Sequence, residues 1–197
     1  MGSGAKDRDP NKKSSADVSA AWMPLLPEKL VCRGFMWDKT PVTLRCIRPE
    51  DADSLCGMFQ DCSRRSLYLR FERHLDKVPL DQVVQLCSVD HNCEVAVVAE
   101  IEQGETRKVI GLGQLSADPS YVSAEYAVLV ADPWQGRGLG SLFTDFCLDI
   151  ASKLGIKRVV GEFSPSNVRI IRILQSRGFD LQRDEREQFV FAEKDIE

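Results

Sequence analysis

One stretch of this chain could do chemistry on a phosphate-bearing ligand. Gln135-Gly136-Arg137-Gly138-Leu139-Gly140-Ser141 follows an apolar segment, Val122–Val130, that reads as a strand. It runs straight into a helical stripe of Leu139, Leu142, Phe143, Phe146, Cys147, Ile150, Ala151 and Leu154. Glycines let a backbone approach a ligand closely and adopt unusual dihedrals. A helix N-terminus leaves amide hydrogens unpaired and carries partial positive charge. Together these form a cradle for phosphate oxygens, with Arg137 adding a cation. Capping a helix would need one glycine, and here there are three, at 136, 138 and 140. No lysine follows Gly140, so the nucleotide P-loop pattern fails. Ser141 stands where a dinucleotide fingerprint would need its third glycine.

Two carboxylates lie near this loop. Glu125 is a lone charge in the apolar strand just ahead of it. Burial there would raise its pKa toward neutrality and suit it to act as a general base. The same alternation fits an ordinary solvated glutamate on a half-buried strand. Glu162, at the end of the next strand, is the second candidate. Arg64, Arg65, Arg70 and Arg73 share one helical stretch and read as a solvated face. His74 and His91 have no partner at metal-ligand spacing, so no metal site is expected. Cys147 falls on the apolar stripe and reads as core, while Trp134 either packs or lies exposed beside the loop.

The elements that must position these groups can be read in order. Val42–Arg48 alternates as a strand, and Pro49-Glu50-Asp51 opens a helix bearing Leu55, Met58 and Phe59. Ser63–Phe71 and a stretch beginning at Pro79 read as two more helices. Glu94–Glu102 and Val109–Ser116 are strands joined through Gln103-Gly104-Glu105, and Val122–Val130 completes a meander. After the glycine loop and its helix, capped by Gly155, come strand Ile156–Phe163, helix Val168–Ser176, and a terminal hairpin, 180–182 with 188–191. The order implies an α+β (mixed α/β) domain around one sheet. That domain is expected over 41–197. Residues 1–19 read as a disordered polar tail. Residues 20–40 read as an apolar extension whose Trp22, Met23, Phe35 and Trp37 pack on the domain or a partner.

Composition limits the function classes. The 197 residues carry a net charge of −4, which argues against a globally basic nucleic-acid binder. No apolar run approaches the ~18 residues a membrane helix needs. The polar start lacks a secretory h-region, and seven cysteines, none spaced C-x-x-C, read as reduced thiols of a cytoplasmic protein.

At Gln135–Gly140 the sequence resembles the GNAT N-acetyltransferases, whose signature is Q/R-x-x-G-x-G/A. The resemblance spans most of 41–193 in element order. It is closest to the GNAT domain of bacterial Pat-type protein lysine acetyltransferases, through IRPEDADSL, SRRSLYLRF, AEYAVLVADPWQGRGLGS and GEFSPSN. It implies a mostly antiparallel sheet of about seven strands, splayed where acetyl-coenzyme A binds. It implies that amides of Gln135 to Ser141 (Gln135, Gly136, Arg137, Gly138, Leu139, Gly140 and Ser141) hold the pyrophosphate. Val128, Leu129 and Val130 would pair with the pantetheine arm, and Asn167 would touch the cofactor. Glu125 matches the family's glutamate. Many relatives carry a tyrosine general acid where this chain has Leu174, so none is expected. The favoured acceptor is a protein lysine. Alternatives are a small-molecule amine acceptor and a non-catalytic acyl-coenzyme A sensor. A homodimer contact through 20–40 is also open.

Overall fold

The computed structural model describes residues 29–89, 93–184, 186 and 188–196. The expected polar tail, Trp22, Met23 and His91 lie outside the described residues. Among the described residues eight strands form one sheet: β1 (Val31–Phe35), β2 (Pro41–Cys46), β3 (Glu94–Gln103), β4 (Thr106–Ala117), β5 (Ser123–Val130), β6 (Arg158–Phe163), β7 (Asp180–Arg183) and β8 (Val190–Asp195). Their spatial order is β1-β2-β3-β4-β5-β6-β8-β7. Every neighbouring pair is antiparallel except β5 with β6.

The count is one more than the sequence implied. The addition is β1, from the stretch read as an extension, which pairs residue for residue with β2 from Val31↔Arg45 to Phe35↔Pro41. Gly34 within it interrupts the apolar alternation that would have marked it as a strand.

Helices cover both faces. α1 (Ala52–Gln60), α2 (Arg64–Phe71) and α3 (Leu80–Cys87) pack on one side, and α4 (Leu139–Lys153) and α5 (Val168–Gln175) on the other. The α4 stripe is buried, including Cys147, apart from the partly buried Leu142. Its depth depends on β4. A Cβ at Gly111 or Gly113 would lie 2.7 or 2.8 Å from the Phe143 ring, so only glycines let α4 settle this close. That closeness brings the α4 N-terminus to the end of β5. On the opposite face, Arg45 joins β2 to the Pro49–Asp51 turn and β3, meeting Asp51 at 2.7 Å and Glu100 at 2.8 Å. No helix of the described residues is long and apolar enough to cross a membrane.

Candidate active site

The site begins where two strands part. β5 and β6 pair only at Ser123↔Arg158, Ala124↔Val159 and Glu125↔Val160. Beyond Glu125 no strand among the described residues pairs with the β6 side of β5. Ala131 N–H donates to the Ile110 carbonyl on the β4 side at 3.0 Å. Backbone groups alternate along a strand, so Leu129 also turns toward β4, while Val128 and Val130 turn toward the gap. All three residues line the cavity at this gap. The strand-pairing role implied for Leu129 is therefore not available to its backbone, which is already committed to the sheet. Leu129 contributes an apolar wall.

The glycine loop closes one end of that cavity. Gly136 and Gly138 have φ of 74° and 88°, the left-handed region that only glycine enters at little cost. Gly138 is also crowded: a Cβ there would lie 2.6 Å from Trp37 Nε1. Leu139 is buried in the core and anchors the helix start. Gly140 and Asn167 line the same cavity from α4 and from the start of α5. Ser141 lies on the other side of the loop.

Two loop side chains brace rather than reach. Gln135 Nε2 donates to the Val130 carbonyl at 2.9 Å and to Ser66 Oγ at 3.0 Å, and its Oε1 accepts from Arg169 at 2.6 Å. Ser66 Oγ in turn donates to Asp132 at 2.6 Å. Burial opposes ionisation of Asp132, but hydrogen bonds from Ser66 and Ser63 outweigh it and hold its carboxyl below the usual value. Arg137 pairs with Asp38 at 2.9 Å, lies 4.8 Å over the Trp134 ring, and its carbonyl accepts from Trp37 N–H at 2.9 Å. Trp134 thus packs, half-buried, beneath the loop. Arg169, which the sequence reading passed over, lines the gap cavity.

Glu125 and Glu162 come together on the opposite face from α4. Their neighbours Ala124, Tyr126 and Phe163 are buried in the α4-side core, so by alternation both carboxylates point the other way. They line one cavity with Asp180 and Glu193. Glu125 also lines a second cavity, with Arg70, Glu94, Gln114 and Ser116. The burial expected for Glu125 is not found; it is exposed, because no helix among the described residues covers this stretch of β5. Glu162 is exposed as well. Partial desolvation and the nearby carboxylates of Glu72, Glu125 and Asp184 push its carboxyl up from the usual value.

Arg70 departs from the solvated face expected of it. It sits in the wall between the gap cavity and the Glu125 cavity and lines both. Its guanidinium bonds Gln114, Nε has neither solvent nor a partner among the described residues, and the Glu125 carboxylate favours its charged form against desolvation. The signal was present: Arg70 follows buried Leu67 by three residues and buried Ser66 by four, the spacing of one helix face. At the remaining expected position, Leu174 is fully buried in the core and offers no proton.

These features fit an acyl-coenzyme A. Amides of a left-handed glycine loop at a helix start suit a pyrophosphate, and the gap-facing backbone of Val128 and the N–H of Val130, whose carbonyl is taken by Gln135, suit an amide-bearing arm. Residues 42–180 match the family described as the acetyltransferase (GNAT) domain. The chain belongs to that acyltransferase family. It is 28% identical over 148 residues to acetyltransferase PA5475 of Pseudomonas aeruginosa, covering 75% of this chain and 79% of that protein. Its fold resembles the GNAT domain of S. lividans PAT, with a TM-score of 0.78, 24% identity, and coverage of 87% of this chain and all of that one. It also resembles spermidine N-acetyltransferase from Vibrio cholerae, solved with CoA and spermine, at a TM-score of 0.64 and 19% identity over 79% of this chain and 95% of that one.

Proposed function

We propose that this chain transfers the acetyl group of acetyl-coenzyme A to a primary amine, with Glu125 as general base and a protein lysine as the favoured acceptor. The observation that carries the reading is the position of Glu125. It is the last residue bridging β5 to β6, it lines the cavities on both sides, and the backbone that would hold the pantetheine arm begins three residues later. When bound, acetyl-coenzyme A supplies an activated thioester.

A lysine amine has a pKa of ~10.4 and must lose a proton before it can attack. Glu125, open to solvent, accepts that proton directly or through water. Gln135, pinned to Val130, keeps the loop fixed against β5. The carboxylates of Glu162, Asp180 and Glu193 beside Glu125 favour an incoming cation. Glu162 is the reserve base.

The acidic lining also favours a small polyamine as the second reading, in keeping with the likeness to the spermidine enzyme. Coenzyme A release, measured with lysine peptides, intact proteins and spermidine for wild type and Glu125→Gln, tests both. Peptide-dependent release that falls 100-fold or more in the variant supports the first. Turnover confined to spermidine supports the second. Coenzyme A binding without turnover on any acceptor overturns both in favour of a sensor.

A further inference from the structure

Acyl transfer has to take place some way back along β5 from the glycine loop. Glu125 lies three residues before Val128, about 10 Å along an extended strand. An arm that starts at the loop and follows Val130 and Val128 therefore carries its thioester to the level of Ala127. The gap cavity stops there. Val128 and Arg70 line it, whereas Ala127 lines a separate chamber of about 310 Å³ that also borders Glu125. Among the described residues that line either space, Arg70 alone lines both.

Arg70 is fixed at that level. Ala127 and Gln114 are partners across β5 and β4, so they share one face of the sheet, and Gln114 Oε1 accepts from the Arg70 guanidinium. The same guanidinium lies 5.2 Å from the centre of the Phe71 ring. It forms a partition between the arm and the chamber. An unpaired buried donor costs stability, and Arg70 Nε is one among the described residues, so hydrogen bonding alone does not account for an arginine here. Behind the partition, Phe71, Leu86 and Ala127 give the chamber apolar walls. The Glu94 and Glu125 carboxylates on its border disfavour an acyl chain that ends in a negative charge. An uncharged aliphatic chain suits it.

We propose that the Arg70–Gln114 partition sets acyl-chain length: in place, it holds the cofactor to an acetyl group, and without the guanidinium the chamber behind it takes a longer aliphatic acyl chain. This role for Arg70 rests on the acyl-coenzyme A reading above and gives that site a specificity-determining residue.

Calorimetric titration of the full chain with coenzyme A and with acetyl-, butyryl- and hexanoyl-coenzyme A tests this without any acceptor. Wild type should bind butyryl-coenzyme A about 10-fold or more weakly than acetyl-coenzyme A, the scale on which a pocket senses a methylene, and hexanoyl-coenzyme A more weakly still. Arg70→Ala should erase that order while leaving free coenzyme A unchanged, which also shows that the variant folds. Gln114→Ala keeps the guanidinium but unties it, so it should shift the order the same way by a smaller factor, and it decides the matter if Arg70→Ala does not fold. Leu86→Trp added to Arg70→Ala refills the chamber and should restore the preference for acetyl. Wild-type binding that ignores chain length overturns the partition. So does Arg70→Ala that keeps the wild-type order, or that weakens all four ligands alike. A change confined to KM for a lysine peptide or spermidine, with thioester affinities unmoved, would make the chamber an acceptor pocket and overturn it too. No coenzyme A binding by wild type overturns the cofactor reading with it.

Discussion

Glu125 lies opposite Val160 in the last bridge between β5 and β6, and Glu162 follows Val160 by two residues on the same face. The strands therefore set both carboxylates at the mouth of the gap, and their roles should separate in kinetics. Removing a general base lowers kcat by 10²–10⁴. Glu125→Gln should do so, while Glu162→Gln should raise KM for a cationic amine and change kcat less than about 10-fold. Raising salt from 50 to 500 mM should mimic Glu162→Gln, since exposed charges are screened. A larger kcat loss in Glu162→Gln would exchange the two assignments.

Arg70 separates the two cavities and shares one of them with Glu125. Desolvation works against its charged form and the Glu125 carboxylate works for it. Arg70→Met should lower kcat at least 10-fold with coenzyme A affinity unchanged, and Arg70→Lys should recover part of the loss. Loss of coenzyme A affinity in step with kcat would reduce Arg70 to a wall of the cofactor cavity.

Gly138 has no room for a side chain. Alanine there meets the Trp37 ring and must hold φ at 88°, a strain of about 1–3 kcal/mol. Gly138→Ala should lower the melting temperature and weaken coenzyme A at least 10-fold. Gly57, inside α1 with nothing within 4 Å of an added Cβ, is the control. Gly57→Ala should stabilise by about 0.5–1 kcal/mol.

Asp51 ties its turn to β2. Burial opposes its ionisation, but the Arg45 side chain and the Arg48 N–H outweigh it and hold the carboxyl below the usual value. A carboxyl depressed in the fold stabilises above its unfolded pKa of ~3.9, and that contribution is lost as pH falls through the lower folded value. Chemical denaturation should thus show stability falling below about pH 4 in wild type. Asp51→Asn leaves Arg45 with one buried partner fewer and should cost about 3 kcal/mol at pH 7. Its stability should then fall less steeply with acid. An equally steep fall would place the acid-sensitive group elsewhere.

Much of the site was legible because its signals are local. Gln135–Ser141 combines glycine spacing with a following apolar stripe, and both are properties of neighbouring residues. Gly104, Gly155 and Gly178 likewise end their elements with positive φ, as turn and cap residues do. The third meander strand and its lone Glu125 could be read from alternation. What lay beyond reach depends on residues distant in sequence. β1 becomes a strand only because β2 offers a complementary edge, and Gly34 hid its pattern.

The burial of each polar group was decided the same way. Glu125 is exposed because no helix among the described residues covers that part of β5, while Arg70 is half-buried because α2 lies against β5 and Gln114 of β4 meets it. Gln135 reaches Ser66 across 69 residues, and Arg137 reaches Asp38 across 99. Sequence by itself determined the family, the loop and the order of elements, since these follow from periodicity and short-range backbone chemistry. Only the tertiary structure decided where β5 and β6 part, which backbone groups face the gap, and that Trp37 stands beside the loop. Those are relations between surfaces, set by how close Gly111, Gly113 and Gly138 let their neighbours come.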